Sequence, residues 1–60
     1  MKLIDLLCVV DENSNIVVVD TLDNELSIYD GKNSIDEMYN NYDIVSISHK
    51  TDAISVMIDL

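Results

Sequence analysis

Apolar runs alternate with short polar breaks along this chain, and the spacing inside each run predicts its conformation. From Leu3 to Val10, residues Leu3, Leu6, Leu7 and Val10 follow the i, i+3, i+4, i+7 spacing of a helix. Ile4 and Cys8 widen that stripe to roughly 200° at 100° per residue, leaving Lys2 and Asp5 on the wet side. Such a stripe is wider than packing on one sheet requires. The polar run Asp11 to Asn15 then breaks the segment. Ile16 to Asp20 is β-branched and apolar on both alternating faces, the pattern of a central strand covered on both sides. Asp23-Asn24 supplies turn chemistry. Leu26 to Tyr29 returns as a second strand, with Leu26 and Ile28 facing one way and Gly31 ending it.

Ser34 and Glu37 have the spacing of a capping box, in which each side chain satisfies an otherwise orphaned backbone N–H. Ile35, Met38, Tyr39 and Tyr42 follow at helical intervals, which predicts a second short helix ending at Asn40-Asn41. The closing hairpin is the clearest signal. Asp43 to Ser48 and Ala53 to Asp59 alternate, with His49 to Asp52 turning between them. Ile54, Val56, Ile58 and Leu60 form one apolar row, while Ser46, Ser48 and Ser55 place part of the other face in water. The predicted order is α-β-β-α-β-β within a single domain spanning residues 1–60. It gives an α+β fold: a four-stranded, mainly antiparallel sheet with two short helices. An all-β fold is the alternative, because Ile4, Leu6, Cys8 and Val10 also alternate.

Size changes the picture. Sixty residues lie near the lower limit for independent folding. A chain of this mass buries on the order of 6,000 Å² on folding. Its apolar part contributes roughly 80 to 90 kcal/mol at about 25 cal/mol/Å². Ordering costs roughly 90 kcal/mol at about 1.5 kcal/mol per residue. The terms cancel, so a lone copy is marginal. Cys8 is the only cysteine, which removes an internal disulfide, and Cys8 with His49 is too small a set for a four-ligand zinc site. A homodimer is therefore expected. Its seam is either the outer stripe with Ile4 and Cys8 or the second face of the first strand with Val17 and Val19.

Charge narrows the partners. Twelve acidic residues against three lysines, and no arginine, give a net charge of −9. That balance argues against nucleic-acid backbones and anionic membranes and favours encounter with basic protein surfaces. The chain lacks the roughly 20 consecutive apolar residues of a membrane span. Met1 to Val10 lacks the features of a signal peptide. A cytoplasmic setting follows, with Cys8 reduced.

Candidate chemistry is sparse. Asp11, Asn13 and Asn15 resemble the start of a calcium loop, but Ile16 and Leu22 occupy the positions that need glycine and glutamate. Asp20, Asp23 and Glu25 could hold a divalent ion through oxygen ligands, although surface acids on a turn explain them more simply. Asp36 and Glu37 suit the positive start of a helix. Cys8 and His49 are the only nucleophile–base candidates. Cys8 sits on an apolar stripe without a basic neighbour, so packing explains it better. No cofactor, metal or catalytic set is expected. Tyr29, flanked by Asp30, is either an outward anchor for a partner protein or ordinary cross-strand packing.

Several stretches carry a likeness: Lys2-Leu3-Ile4-Asp5-Leu6-Leu7, Ile16-Val17-Val18-Val19-Asp20, Leu26-Ser27-Ile28-Tyr29-Asp30-Gly31 and Tyr42-Asp43-Ile44-Val45-Ser46-Ile47. Through them the chain resembles, over almost its full length, the very short acidic proteins encoded by phages and prophages of low-GC Gram-positive bacteria. Its Ile- and Asn-rich composition without arginine fits an AT-rich coding source. The resemblance implies a non-enzymatic inhibitor of the anti-defence type, acting in the host cytoplasm by binding a bacterial defence complex. It transfers no functional residue. On charge and crowding, the expected partner-binding residues are Asp20, Asp23, Glu25, Tyr29, Asp30, Asp36 and Glu37. A DNA mimic that plugs a nuclease or helicase, and an accessory or structural phage module, are the competing expectations.

Overall fold

The computed structural model describes residues 1–11, 14–30 and 32–60. Glu12 and Asn13 of the expected polar turn, and the strand-ending Gly31, lie outside them. One helix, α1 (Leu3–Leu7), precedes four strands: β1 (Ile16–Val19), β2 (Glu25–Tyr29), β3 (Ile44–His49) and β4 (Ile54–Ile58).

Helix α1 forms over the first part of the stretch that the apolar spacing predicted, ending at Leu7 with Cys8 as its cap instead of reaching Val10. Leu3 is fully buried, and Leu6, Leu7 and Val10 pack against the core around it. The Asp5 carboxylate accepts the Lys2 backbone N–H at 3.0 Å, which suits the positive start of a helix. The first element is therefore helical, and the all-β alternative for Leu6 to Val10 does not occur.

The second expected helix is replaced by a single 3₁₀ turn, Glu37–Tyr39. Its cap is Asp36, not Ser34: Asp36 Oδ1 accepts the Met38 N–H at 3.0 Å. With the cap two residues late, only three residues remain before Asn40-Asn41. Nucleating an α-helix over so few residues is unfavourable, and the N–H groups of Tyr39, Asn40 and Tyr42 bond three residues back. The tighter winding also breaks the predicted stripe. Ile35 is buried and Tyr39 packs on the core, but Met38 is 65% exposed.

The sheet order is β2-β1-β4-β3. Each hairpin is antiparallel, as its turn implied, but the two hairpins join through a parallel β1–β4 pairing. The sheet is mixed: two of its three pairings are antiparallel, as expected of a mainly antiparallel sheet, and the central one is parallel. β1 and β4 carry the most apolar sequences, and the central positions of a sheet suit them. Residues 32–43 lie on the way from one edge strand to the other. They cross the same side as α1, because Ile35 and Leu3 share one core with Ile16, Val18, Val56 and Ile58.

Register fixes the two faces. On the core side, Tyr29–Ile16–Ile54–His49 and Ser27–Val18–Val56–Ile47 run across all four strands. On the other side run Ile28–Val17–Ser55–Ser48 and Glu25–Val19–Met57–Ser46. A register shift leaves Leu26 as the extra residue of β2, and it packs against the core while Ile28 points away. Bulges re-aim side chains in this way. The folded chain exposes 4049 Å², close to the roughly 4,000 Å² that size scaling gives for a compact chain of this mass.

Candidate binding surface

One face of the sheet makes the core; the other carries no helix. α1 and the 3₁₀ turn both pack on the core side through Leu3 and Tyr39. None of Val17, Val19, Ile28 or Met57 belongs to that core cluster. Val17, Ile28 and Met57 are half-buried, and Val19 is 3% exposed. Val17, Ile28 and Met57 make an apolar patch over β2, β1 and β4, and Val19 is buried among them. Ser46 and Ser48 from β3 border it on one side, with Glu25 at its acidic end; Ser55, expected in water, is instead buried at 5% exposure. No lysine or histidine lies in these two rows. β1 is thus central, as its sequence implied, but covered by other elements on one side only.

Strand directions sort the charges. The ends of β1 and β4 and the starts of β2 and β3 lie together, which gathers Asp20, Asp23, Glu25, Asp43 and Asp59 at one end of the sheet. Lys2 is the basic group there, with Nζ 3.1 Å from Asp43 Oδ1. Asp30 and Asp52 lie at the opposite end with His49 and Lys50. Five residue steps, roughly 17 Å of strand, separate Glu25 from Asp30. Asp36 sits beside the middle of β2, where its N–H donates to Ser27 Oγ at 3.3 Å. Of the expected partner-binding acids, only Asp20, Asp23 and Glu25 are brought together.

Three of those acids build turns. Asp20 accepts the N–H groups of Leu22 and Asn24 and the Asn24 side-chain amide, while Asp23 sits at φ 65°, a left-handed position that Asp tolerates. The Asn24 N–H chiefly, with the Asn24 amide and the Leu22 N–H, holds the Asp20 carboxyl below the usual carboxylate range, against a smaller desolvation effect. Asp30 repeats this arrangement with the N–H groups of Asn33 and Lys32 and the Asn33 amide. Its carboxyl is lowered first by the Asn33 N–H, then by the Lys32 N–H. Asp36 caps the 3₁₀ turn. These three shape the backbone, so Asp23, Glu25 and Glu37 are the cleaner probes of charge.

Tyr29 is half-buried and packs against the core cluster, so cross-strand packing accounts for it. The four expected seam residues divide between opposite sides. Ile4, 37% exposed, and Cys8, also exposed, lie on the outer side of α1. Val17 and Val19 lie beyond the far side of the sheet. One flat interface cannot use both pairs.

An open depression of about 310 Å³ lies at the His49 end, lined by Ser14, Asn15, His49, Thr51, Asp52, Ala53 and Ile54. Asn15 spans it, donating to the Asp52 carbonyl at 3.2 Å. Cys8 is not among its lining residues, so the depression does not unite the nucleophile–base pair. Among the described residues no group of three or more His, Cys, Asp or Glu side chains could hold a metal ion, and no helix is long and apolar enough to cross a membrane.

Met57 and Ile28 were missed as surface residues. Alternation groups Ile28 with Leu26, and only the bulge separates them. Met57 had a signal: the second row of β4, Ser55 and Met57, lacks the charges of a fully wetted face. Compared with family models, curated proteins and solved structures, the chain matches none.

Proposed function

We propose that this chain is a non-enzymatic binding protein that seats its open sheet face on a partner protein and blocks it. The observation that carries the reading is the half-buried patch of Val17, Ile28 and Met57, apolar at the centre of the sheet face that carries no described helix. An apolar centre with a polar margin is the anatomy of a protein interface. The acidic end, with Asp23 and Glu25 beside the patch, steers the encounter toward a basic surface. Taken with the resemblance to short acidic phage proteins, the partner is a bacterial anti-phage defence complex, met in the host cytoplasm. The dispersal of Asp20, Asp30 and Asp36 over both ends and one edge favours steering over DNA mimicry, which needs carboxylates in a phosphate-like line.

Phage challenge tests this directly. Bacteria carrying single defence systems, each co-expressing the chain, should regain phage plaques for one system. Met57→Lys should abolish that effect with the fold intact by circular dichroism, and Glu25→Lys should weaken it. Full activity of folded Met57→Lys, or no effect across the systems, contradicts the proposal.

A further inference from the structure

We propose that the Ser55 hydroxyl selects what the open sheet face accepts, a step that rests on the partner reading above. The matching segment of the partner protein lays apolar side chains on Val17, Ile28 and Met57 and points one uncharged amide or hydroxyl group at Ser55 Oγ. Ser55 lies on β4, opposite Val17 of β1 and Ser48 of β3. At 5% exposure it is the one buried polar residue among those described. No described residue hydrogen-bonds its hydroxyl. Among the described residues, no side-chain oxygen sealed from solvent lacks a partner. The Ser55 oxygen therefore keeps contact with solvent. Its strand neighbours Ile54 and Val56 pack into the core, so that contact is on the helix-free face.

Seating a partner on this face strips the remaining solvent from Ser55. A hydroxyl that loses water and stays unpaired opposes binding, whereas one that gains a hydrogen bond does not. The same asymmetry lets a site built around a hydrogen bond reject ligands that lack the matching group. Ser46 and Ser48 make no such demand, because both are exposed at the margin of the patch and stay wet. Ser55 is thus the polar group inside the contact that a partner has to answer. The answering group is uncharged for two reasons. The row Ile28–Val17–Ser55–Ser48 holds no ionised side chain. A neutral hydroxyl beside Val17 and Met57 is also too little to replace the water around a buried ion.

Ser55→Ala separates the two kinds of contact by sign, because it makes the face more apolar. A partner held by apolar contact alone would bind the variant as well as the wild type, or better. For the defence complex whose plaques the wild type restores, Ser55→Ala should instead raise the dissociation constant of the purified pair about tenfold. Ser48→Ala, at the wet margin, should change it by less than about twofold. In urea, isolated Ser55→Ala should unfold within about 0.5 M of the wild-type midpoint or above it, since no internal hydrogen bond is lost. Wild-type affinity in Ser55→Ala, an equal loss in Ser48→Ala, or a midpoint lowered by more than that margin overturns the proposal. Absence of plaque rescue by the wild type overturns the partner reading and this one with it, so the two failures are told apart.

Discussion

The two faces of the sheet are built from neighbouring residues of the same strands yet differ in what lies on them. Ile16 and Val18 are fully buried under α1 and the crossing segment, while Val17, between them, looks out on the uncovered side. The same holds in β4, where fully buried Val56 and Ile58 flank half-buried Met57. Sixty residues suffice to cover one face of a four-stranded sheet. The second face keeps its apolar centre with no described helix laid over it.

Substitutions on the covered face have the largest expected effect. Ile58→Ala should cost about 2 to 5 kcal/mol, against a total of about 3 to 9 kcal/mol for a domain of this length. Urea unfolding should show a variant at or past the edge of folding; a loss below about 1 kcal/mol would mean that this face is not the core. Met57→Ser, one residue away, should cost about 1 kcal/mol and leave the unfolding transition cooperative. A loss as large as that of Ile58→Ala would erase the contrast between the faces.

Asp20→Ala probes the turn at the acidic end. Because the folded-state pKa of Asp20 is lowered, its contribution is fully present above the unfolded value, about 3.9, and is lost as pH falls through the folded one. Thermal melts should place the variant below the wild type at pH 7 and bring the two together in strong acid. A gap that persists there would mean that the Asp20 carboxylate does not act through its charge. Smallest is the Lys2–Asp43 pair, half exposed at Lys2 and two-thirds exposed at Asp43. Lys2→Met should change stability by at most about 1 kcal/mol, and less in high salt. A larger loss in 1 M salt titrations of stability, read by urea midpoint, would assign Lys2 a packing role.

What the sequence made legible was local. The stripe Leu3, Leu6, Leu7 and Val10 gave a helix and the side it buries, and Ile54, Val56 and Ile58 gave a core row. Their periodicity depends only on neighbours in the chain. The parallel β1–β4 pairing was not legible, because it joins residues 38 apart, Ile16 to Ile54, with no turn to announce it. Nor were the register shifts at Leu26 and Val45, which exchange faces within a strand without any glycine or proline to mark them. Leu60, placed in the apolar row by alternation, lies past the end of β4 and is exposed. For the candidate surface, Val17 and Val19 were readable as a second apolar face of β1. Ile28 and Met57 completed that face only through pairing across strands. The acids were visible, but their division into turn-builders and surface charges depended on hydrogen bonds that composition does not encode.

Adjacent lysine substitutions in β1 put the face asymmetry to the sharpest test. In two-dimensional amide spectra at neutral pH, Val17→Lys should retain the dispersed resonances of the wild type, and Val18→Lys should collapse to those of an unfolded chain. Equal tolerance of both, or equal loss, contradicts the account.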